Sequence, residues 1–206
     1  MKPENIVWQD GHVSREERGR LFGQNPATIW MTGLSGAGKS TLAFALEARL
    51  LAMGHACFVL DGDNVRHGLN RDLGFSPEDR CENIRRVAEV ARLMNEAGLI
   101  VITSFISPYR EDRLQASQII GPEAFLEVHV ATSLETCEQR DVKGLYKRAR
   151  AGEVRDFTGI NSPYEPPQNP ALTVDTEGCH ISETVGHILE VLQPRINDYL
   201  QPLAEP

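Results

Sequence analysis

Gly33-Leu34-Ser35-Gly36-Ala37-Gly38-Lys39-Ser40-Thr41 fits the phosphate-binding pattern G-x-x-x-x-G-K-[ST]. Both flanks suit it. Thr28-Ile29-Trp30-Met31 ahead of it is β-branched and apolar, as a buried strand is. Leu42, Ala45, Leu46, Arg49, Leu50 and Met53 behind it follow a helical period. Gly33, Gly36 and Gly38 allow turns that a Cβ would obstruct. The loop N–H groups then line a concave anion site at the positive end of the following helix. Lys39 offers a mobile charge to the outer phosphates, and the Ser40 hydroxyl is a Mg²⁺ ligand candidate. The chain is therefore expected to bind a nucleoside triphosphate, ATP, through residues 33–41.

Working outward, a second strand, Cys57-Phe58-Val59-Leu60, runs into Asp61-Gly62-Asp63-Asn64. Acidic residues at the carboxyl end of a parallel strand lie where doubly wound sheets bind ligands. Asp61 or Asp63 suits a base toward a substrate hydroxyl, or a Mg²⁺-linked role. Arg66 and a Gly68–Gly74 loop follow. Ser76-Pro77-Glu78-Asp79 starts a helix to about Ala97, with Ser76 as N-cap and Asp79 as a capping-box acid. Arg80 and Asn83 in its first turns suit an anion, and Glu82–Arg86 suits an i,i+4 pair. Leu99–Thr103 is the most apolar strand and is expected at the centre of the sheet. Its exit, Ser104-Phe105-Ile106-Ser107-Pro108-Tyr109-Arg110, places two apolar residues where a planar ligand needs walls.

Further along, the spacing predicts a helix over 111–120, a strand over 124–130 and a helix from Leu134 to Arg140. Asp141–Gly152 is basic and glycine-punctuated and, with Phe157-Thr158-Gly159-Ile160, reads as a lid over about 141–160. It would bring positive charge, Arg148 included, to the transferring group and exclude water. Ser162–Pro170 holds four prolines, so it is an extended connector. A fifth strand over 172–175 and a closing helix from Ile181 to about Leu200 complete an α/β fold. It has five parallel strands, helices on both faces and a small lid. Residues 1–26 read as a polar N-terminal extension, with Ser14 capping a short helix and Trp8 a candidate anchor; 27–206 form one kinase-like domain.

Bulk properties narrow the partners. Lys and Arg number 21 against 29 Asp and Glu, a net charge of −8, which argues against a general nucleic-acid or membrane-surface binder. No apolar run reaches spanning length, and the first ten residues lack a signal-peptide pattern. Four scattered cysteines without a C-x-x-C pair suit reduced thiols in a cytoplasm. The histidines lack zinc spacing, so no structural metal is expected.

The phosphate loop together with Asp61–Asn70, Leu73–Ser76, Asp79–Arg86, Phe105–Arg110, Arg140–Tyr146 and Phe157–Ile160 resembles the adenylylsulfate kinases, in order, over roughly residues 5 to 175. The resemblance implies transfer of the γ-phosphoryl of MgATP to the 3′-hydroxyl of adenylyl sulfate, giving ADP and 3′-phosphoadenylyl sulfate. It carries over Asp61 as base, with Lys39 and Ser107 in the catalytic set and Ser40 and Asp63 in the Mg²⁺ network. It also implies that Asp63, Asn64, Arg66, Phe75, Arg80, Asn83, Ile106, Ser107, Lys143, Gly144, Leu145 and Phe157 bind adenylyl sulfate. Phe75 and Phe157 would sandwich its adenine, and the arginines would meet its phosphosulfate. Ser107 matches the family's proposed phosphoserine, although in-line transfer needs only positioning and charge stabilisation. Asp156 departs from the family pattern. The family further implies a homodimer and association with ATP sulfurylase. A kinase for another small hydroxyl compound would share the loop and lid but would not need the acceptor set; a regulatory module without turnover would not need Lys39, Ser40 and Asp61 together.

Overall fold

The structure is a computed structural model and describes residues 6, 7, 9 and 11–197; Trp8 and Leu200 lie outside them. In chain order the elements are α1 (Arg15–Phe22), β1 (Thr28–Thr32), α2 (Lys39–Ala52), β2 (Cys57–Asp61), α3 (Gly62–Arg66), α4 (Pro77–Glu96) and β3 (Ile100–Ser104). These are followed by α5 (Arg110–Ile120), β4 (Phe125–Val130), α6 (Leu134–Arg140), α7 (Leu145–Arg150), β5 (Leu172–Val174) and α8 (Ile181–Ile196). The sheet order is β2-β3-β1-β4-β5, and every pairing is parallel. All five carboxyl ends therefore point to one edge, and the strand order reverses beside β1, where such sheets hold ligands.

The central strands β1 and β3 are buried on both faces, and their successive side chains alternate between two cores. Ile29 and Met31 face α2 and α8 with Leu42, Leu46, Ile188 and Leu192. Trp30 faces the other way, with Val87, Ala91, Val101 and Phe105. Phe105 stacks on Trp30 with centroids 6.0 Å apart, so it is part of the core; of the two expected apolar walls, Ile106 is the half-buried one.

Several helix boundaries have local causes. Ser14 forms a capping box with Glu17, which sets the start of α1. Ser76 accepts from the Asp79 N–H at 3.2 Å, but the Asp79 carboxylate turns outward and accepts from the Gly74 N–H at 3.0 Å. The expected capping-box acid thus closes the preceding loop instead, because Gly74 offers a free donor. The Glu82–Arg86 pair forms at 2.8 Å. Asp61 nucleates α3, a short helix without a periodic signal in the sequence, by accepting from the N–H groups of Asp63 and Asn64. β3 ends one residue later than the apolar run, at Ser104, because Ser104 still pairs with Met31 and Asp61. α8 stops at Ile196, short of the expected end, with Pro194 in its last turn.

Residues 15–26 are docked onto the domain. Arg15 ties the segment to itself by donating to the Pro26 carbonyl at 2.9 Å, and Arg18 reaches the domain at the Glu96 carbonyl at 3.2 Å. Gln24 is fully buried and bonds the backbone ahead of both β2 and β3. Among the described residues no helix is long and apolar enough to cross a membrane.

Candidate active site

A cleft of about 660 Å³ opens at the carboxyl edge of the sheet. Its floor is the phosphate loop. Gly33 approaches β4 so closely that a Cβ there would lie 2.4 Å from the Val130 carbonyl oxygen. Lys39 is buried and spans the loop, its Nζ donating to the carbonyls of Gly33 (2.9 Å) and Leu34 (2.7 Å). Burial lowers its pKa to about 8, since the charged ammonium is poorly solvated there. An anionic ligand would offset that penalty. Ser35, Gly36, Gly38, Lys39, Ser40 and Thr41 line the cleft, whereas Gly33, Leu34 and Ala37 do not.

Asp61 occupies the centre. Its Oδ2 accepts from the Ser40 hydroxyl at 2.8 Å, and its Oδ1 accepts from the Asp63 and Asn64 N–H groups at 3.0 and 3.4 Å. Ser40 Oγ also lies 3.1 Å from Ser104 Oγ. Three hard oxygen side chains thus converge where a triphosphate would reach, which fits Mg²⁺, an ion that takes few protein ligands and keeps phosphates and waters. Asp63 is exposed and pairs with Lys143. The structure therefore brings Asp61 to Ser40 and directs Asp63 toward the lid.

Most of the residues expected to bind the acceptor gather along the same cleft. The Arg66 guanidinium lies 4.4 Å from the Phe75 ring centroid and donates to the carbonyls of Leu73 and Gly74. Burial, and next the positive charge of Arg80, push its pKa below the ordinary value. Arg80 donates to the Phe75 carbonyl (2.9 Å), Thr158 Oγ1 (3.0 Å) and the Asp156 carbonyl (2.5 Å), joining α4 to the lid. Asn83 is buried and accepts from Asn70 at 3.0 Å. Phe75 is exposed and Phe157 buried, and both line the cleft. Asp156, at φ +55°, presents its backbone carbonyl to Arg80, and the residue is exposed.

Ile106, Ser107, Lys143 and Leu145 line the same cleft; Asn64, Gly144 and Arg148 do not. Asn64 contributes its N–H to Asp61, Gly144 caps α7 at φ +65°, and Arg148 pairs with Glu153 at 3.4 Å. Ser107 is buried at φ +37°, and its Oγ accepts from Trp30 Nε1 at 3.2 Å. Among the described residues no carboxylate or imidazole hydrogen-bonds that hydroxyl.

Sequence reasoning missed Arg140, Thr176 and Ser104 as members of the site. Arg140 donates to Thr176 Oγ1 (2.7 Å) and to its carbonyl (2.9 Å), and Thr176 Oγ1 donates to the Ala37 carbonyl (3.0 Å). Together they brace the phosphate loop from the β5 exit. Tyr146 does so from the lid: its hydroxyl donates to the Ser35 carbonyl at 2.8 Å, and its ring meets Phe157 edge-on at 4.9 Å. The signal available was positional, since Ser104 and Thr176 both sit at strand carboxyl ends.

A family model described as adenylylsulphate kinase matches residues 25–175. The chain is 55% identical over 194 residues to an adenylyl-sulfate kinase of Vibrio cholerae, covering 94% of this chain and 90% of that one. The structure is similar to a Mycobacterium tuberculosis APS kinase, CysC, solved in complex with AMPPNP and APS, with a TM-score of 0.79 and 47% identity over 82% of this chain and 98% of that one. It is also similar to a hexameric APS kinase from Thiobacillus denitrificans, with a TM-score of 0.64 and 35% identity over 87% of this chain and 30% of that one.

Proposed function

The chain belongs to the adenylylsulphate kinase family, and we infer that it transfers the γ-phosphoryl of ATP to the 3′-hydroxyl of adenylyl sulfate. The observation that carries this reading is the position of Asp61. One carboxylate oxygen touches Ser40 on the donor side, and the other starts α3, which leads to Arg66 on the acceptor side. A base placed there reaches a hydroxyl presented in line with the terminal phosphate. Proton removal by a positioned group contributes on the order of a hundred- to ten-thousandfold.

The other roles follow from charge and shape. Lys39 and the loop N–H groups hold the β- and γ-phosphates. Ser40 with Asp61 and Ser104 is the oxygen set that would hold Mg²⁺, which when bound offsets charge on the transferring group. Arg66 and Arg80 face the phosphosulfate, while Phe75 and Phe157 close on the adenine. Lys143, tied to Asp63, brings the lid's charge to the cleft rim. Ser107 acts by position, consistent with a hydroxyl that has no base beside it. The four free cysteines suit a reducing cytoplasm. Assembly as a homodimer and association with ATP sulfurylase remain part of the proposal.

The test is ADP release with MgATP against adenylyl sulfate, AMP and 3′-deoxy adenylyl sulfate. Turnover is expected with adenylyl sulfate alone. Turnover with AMP instead would replace this reading by a generic nucleotide kinase. Asp61→Ala is expected to remove turnover by at least about a hundredfold while ATP titration still shows binding; surviving turnover would move the base elsewhere.

A further inference from the structure

We propose that Arg113, on α5, is a positioning residue that holds the acceptor-side loop 105–109 in shape; this rests on the reaction assigned above. Arg113 does not line the cleft and is 3% exposed. Its guanidinium is used in three directions. Nε donates to Glu127 Oε1 on β4 at 2.6 Å, Nη1 to the Ser107 carbonyl at 2.7 Å and Nη2 to the Glu165 carbonyl at 2.8 Å. One rigid fork therefore joins the sheet, the loop and the proline-rich strap over 162–170.

The loop needs such a fastening. Ser107 sits at φ +37°, a region that side-chain-bearing residues adopt only where their surroundings impose it. Its carbonyl is drawn away from the cleft by Arg113 and, at 3.3 Å, by Thr32. Thr32 also donates to the Ile106 carbonyl at 2.7 Å and contacts Tyr164 Oη at 3.1 Å. The strap then clamps the loop's far end: the Glu165 N–H donates to the Pro108 carbonyl, and the Glu165 carboxylate accepts from the Arg110 N–H, both at 2.9 Å. The strap continues directly from the turn that carries Phe157. Arg113 thus fixes where Ile106 and Ser107 face the acceptor, and it ties them to the chain that bears the lid's aromatic wall. A lysine keeps the charge but cannot span three acceptors in one plane.

Arg113→Lys and Tyr164→Phe test this in the full chain, with rates measured against each substrate in turn and thermal midpoints recorded beside them. Arg113→Lys is expected to raise the KM for adenylyl sulfate by about tenfold or more, the loss of charge-assisted hydrogen bonds, with the KM for ATP within about twofold. Tyr164→Phe, which keeps the ring on His129, is expected to raise the same KM by about threefold, one neutral hydrogen bond. Equal shifts in both KM values that track the thermal midpoint would reduce Arg113 to a structural ion pair and overturn the proposal. An unchanged KM for adenylyl sulfate in Arg113→Lys would overturn it too. Should Arg113→Lys not fold, an unchanged KM in Tyr164→Phe would overturn it by itself. A wild type inactive with adenylyl sulfate would overturn the assigned reaction and this proposal with it, whereas an active wild type with an indifferent Arg113→Lys would overturn the proposal alone.

Discussion

Gly33 shows how little room the phosphate loop has. A methyl group there meets the Val130 carbonyl, a backbone atom that cannot turn aside, and the residue holds φ +154°. Gly33→Ala is expected to cost about 2–4 kcal/mol, a fall in the melting midpoint of roughly 4–16 °C for a chain of this size. ATP affinity should fall with it, checked by calorimetry and nucleotide titration. This residue and its neighbours were legible in the sequence because the whole phosphate cradle is contiguous. Asp61 was legible because it ends the next strand. Arg140, Thr176 and Ser104 were not, because three separate chain exits supply them and only the strand order brings them together. Asp79 shows the same limit locally: its spacing from Ser76 was right, but the Gly74 N–H competed for its carboxylate.

At the scale of the element, α4 carries both a cleft-lining face and an electrostatic one. Arg80 and Asn83 line the cleft, while Glu82 bonds Arg85 and Arg86 along the outer side. Those partners, Arg85 first, hold the Glu82 carboxyl down at about 2. A depressed carboxyl stabilises the fold above its unfolded value near 4.5, and the contribution fades as pH falls toward 2. Because the Glu82 side chain is 35% exposed, solvent and salt cut the gain to about 1 kcal/mol or less. Glu82→Gln should therefore lower urea stability slightly at pH 7. The gap to wild type should narrow as pH drops below 4.5 and should shrink in high salt. The basic run 141–152 declared its charge in the sequence but not its attachment. Tyr146 is a lone aromatic among cations, and only the fold shows it hydrogen-bonded to Ser35 and set against Phe157. The proline-rich strap likewise reads as a plain extended connector, since many of its contacts are backbone ones and its two side-chain contributors, Tyr164 and Glu165, form no periodic pattern.

For the molecule as a whole, the parallel order was legible in outline, from five apolar runs each followed by a helical period. The role of residues 15–26 was not, because a polar segment around one glutamine has no periodic signal. Yet the Gln24 amide donates to the carbonyls of Ala56 and Gly98, both at 2.8 Å, and accepts from the Ala56 N–H at 2.9 Å. Gln24→Ala would strand these buried groups at about 2–4 kcal/mol. It is expected to lower the melting midpoint clearly while leaving both KM values within about twofold; a large KM shift would show that the two ends of the sheet are coupled. Because the five strands run one way, Gln24 and Asn95 work at the amino ends and Asp61, Ser104 and Thr176 at the carboxyl ends. The amino pole thus holds stabilising contacts away from the cleft, so a longer-lived catalyst is best sought by altering the pole where nothing reacts.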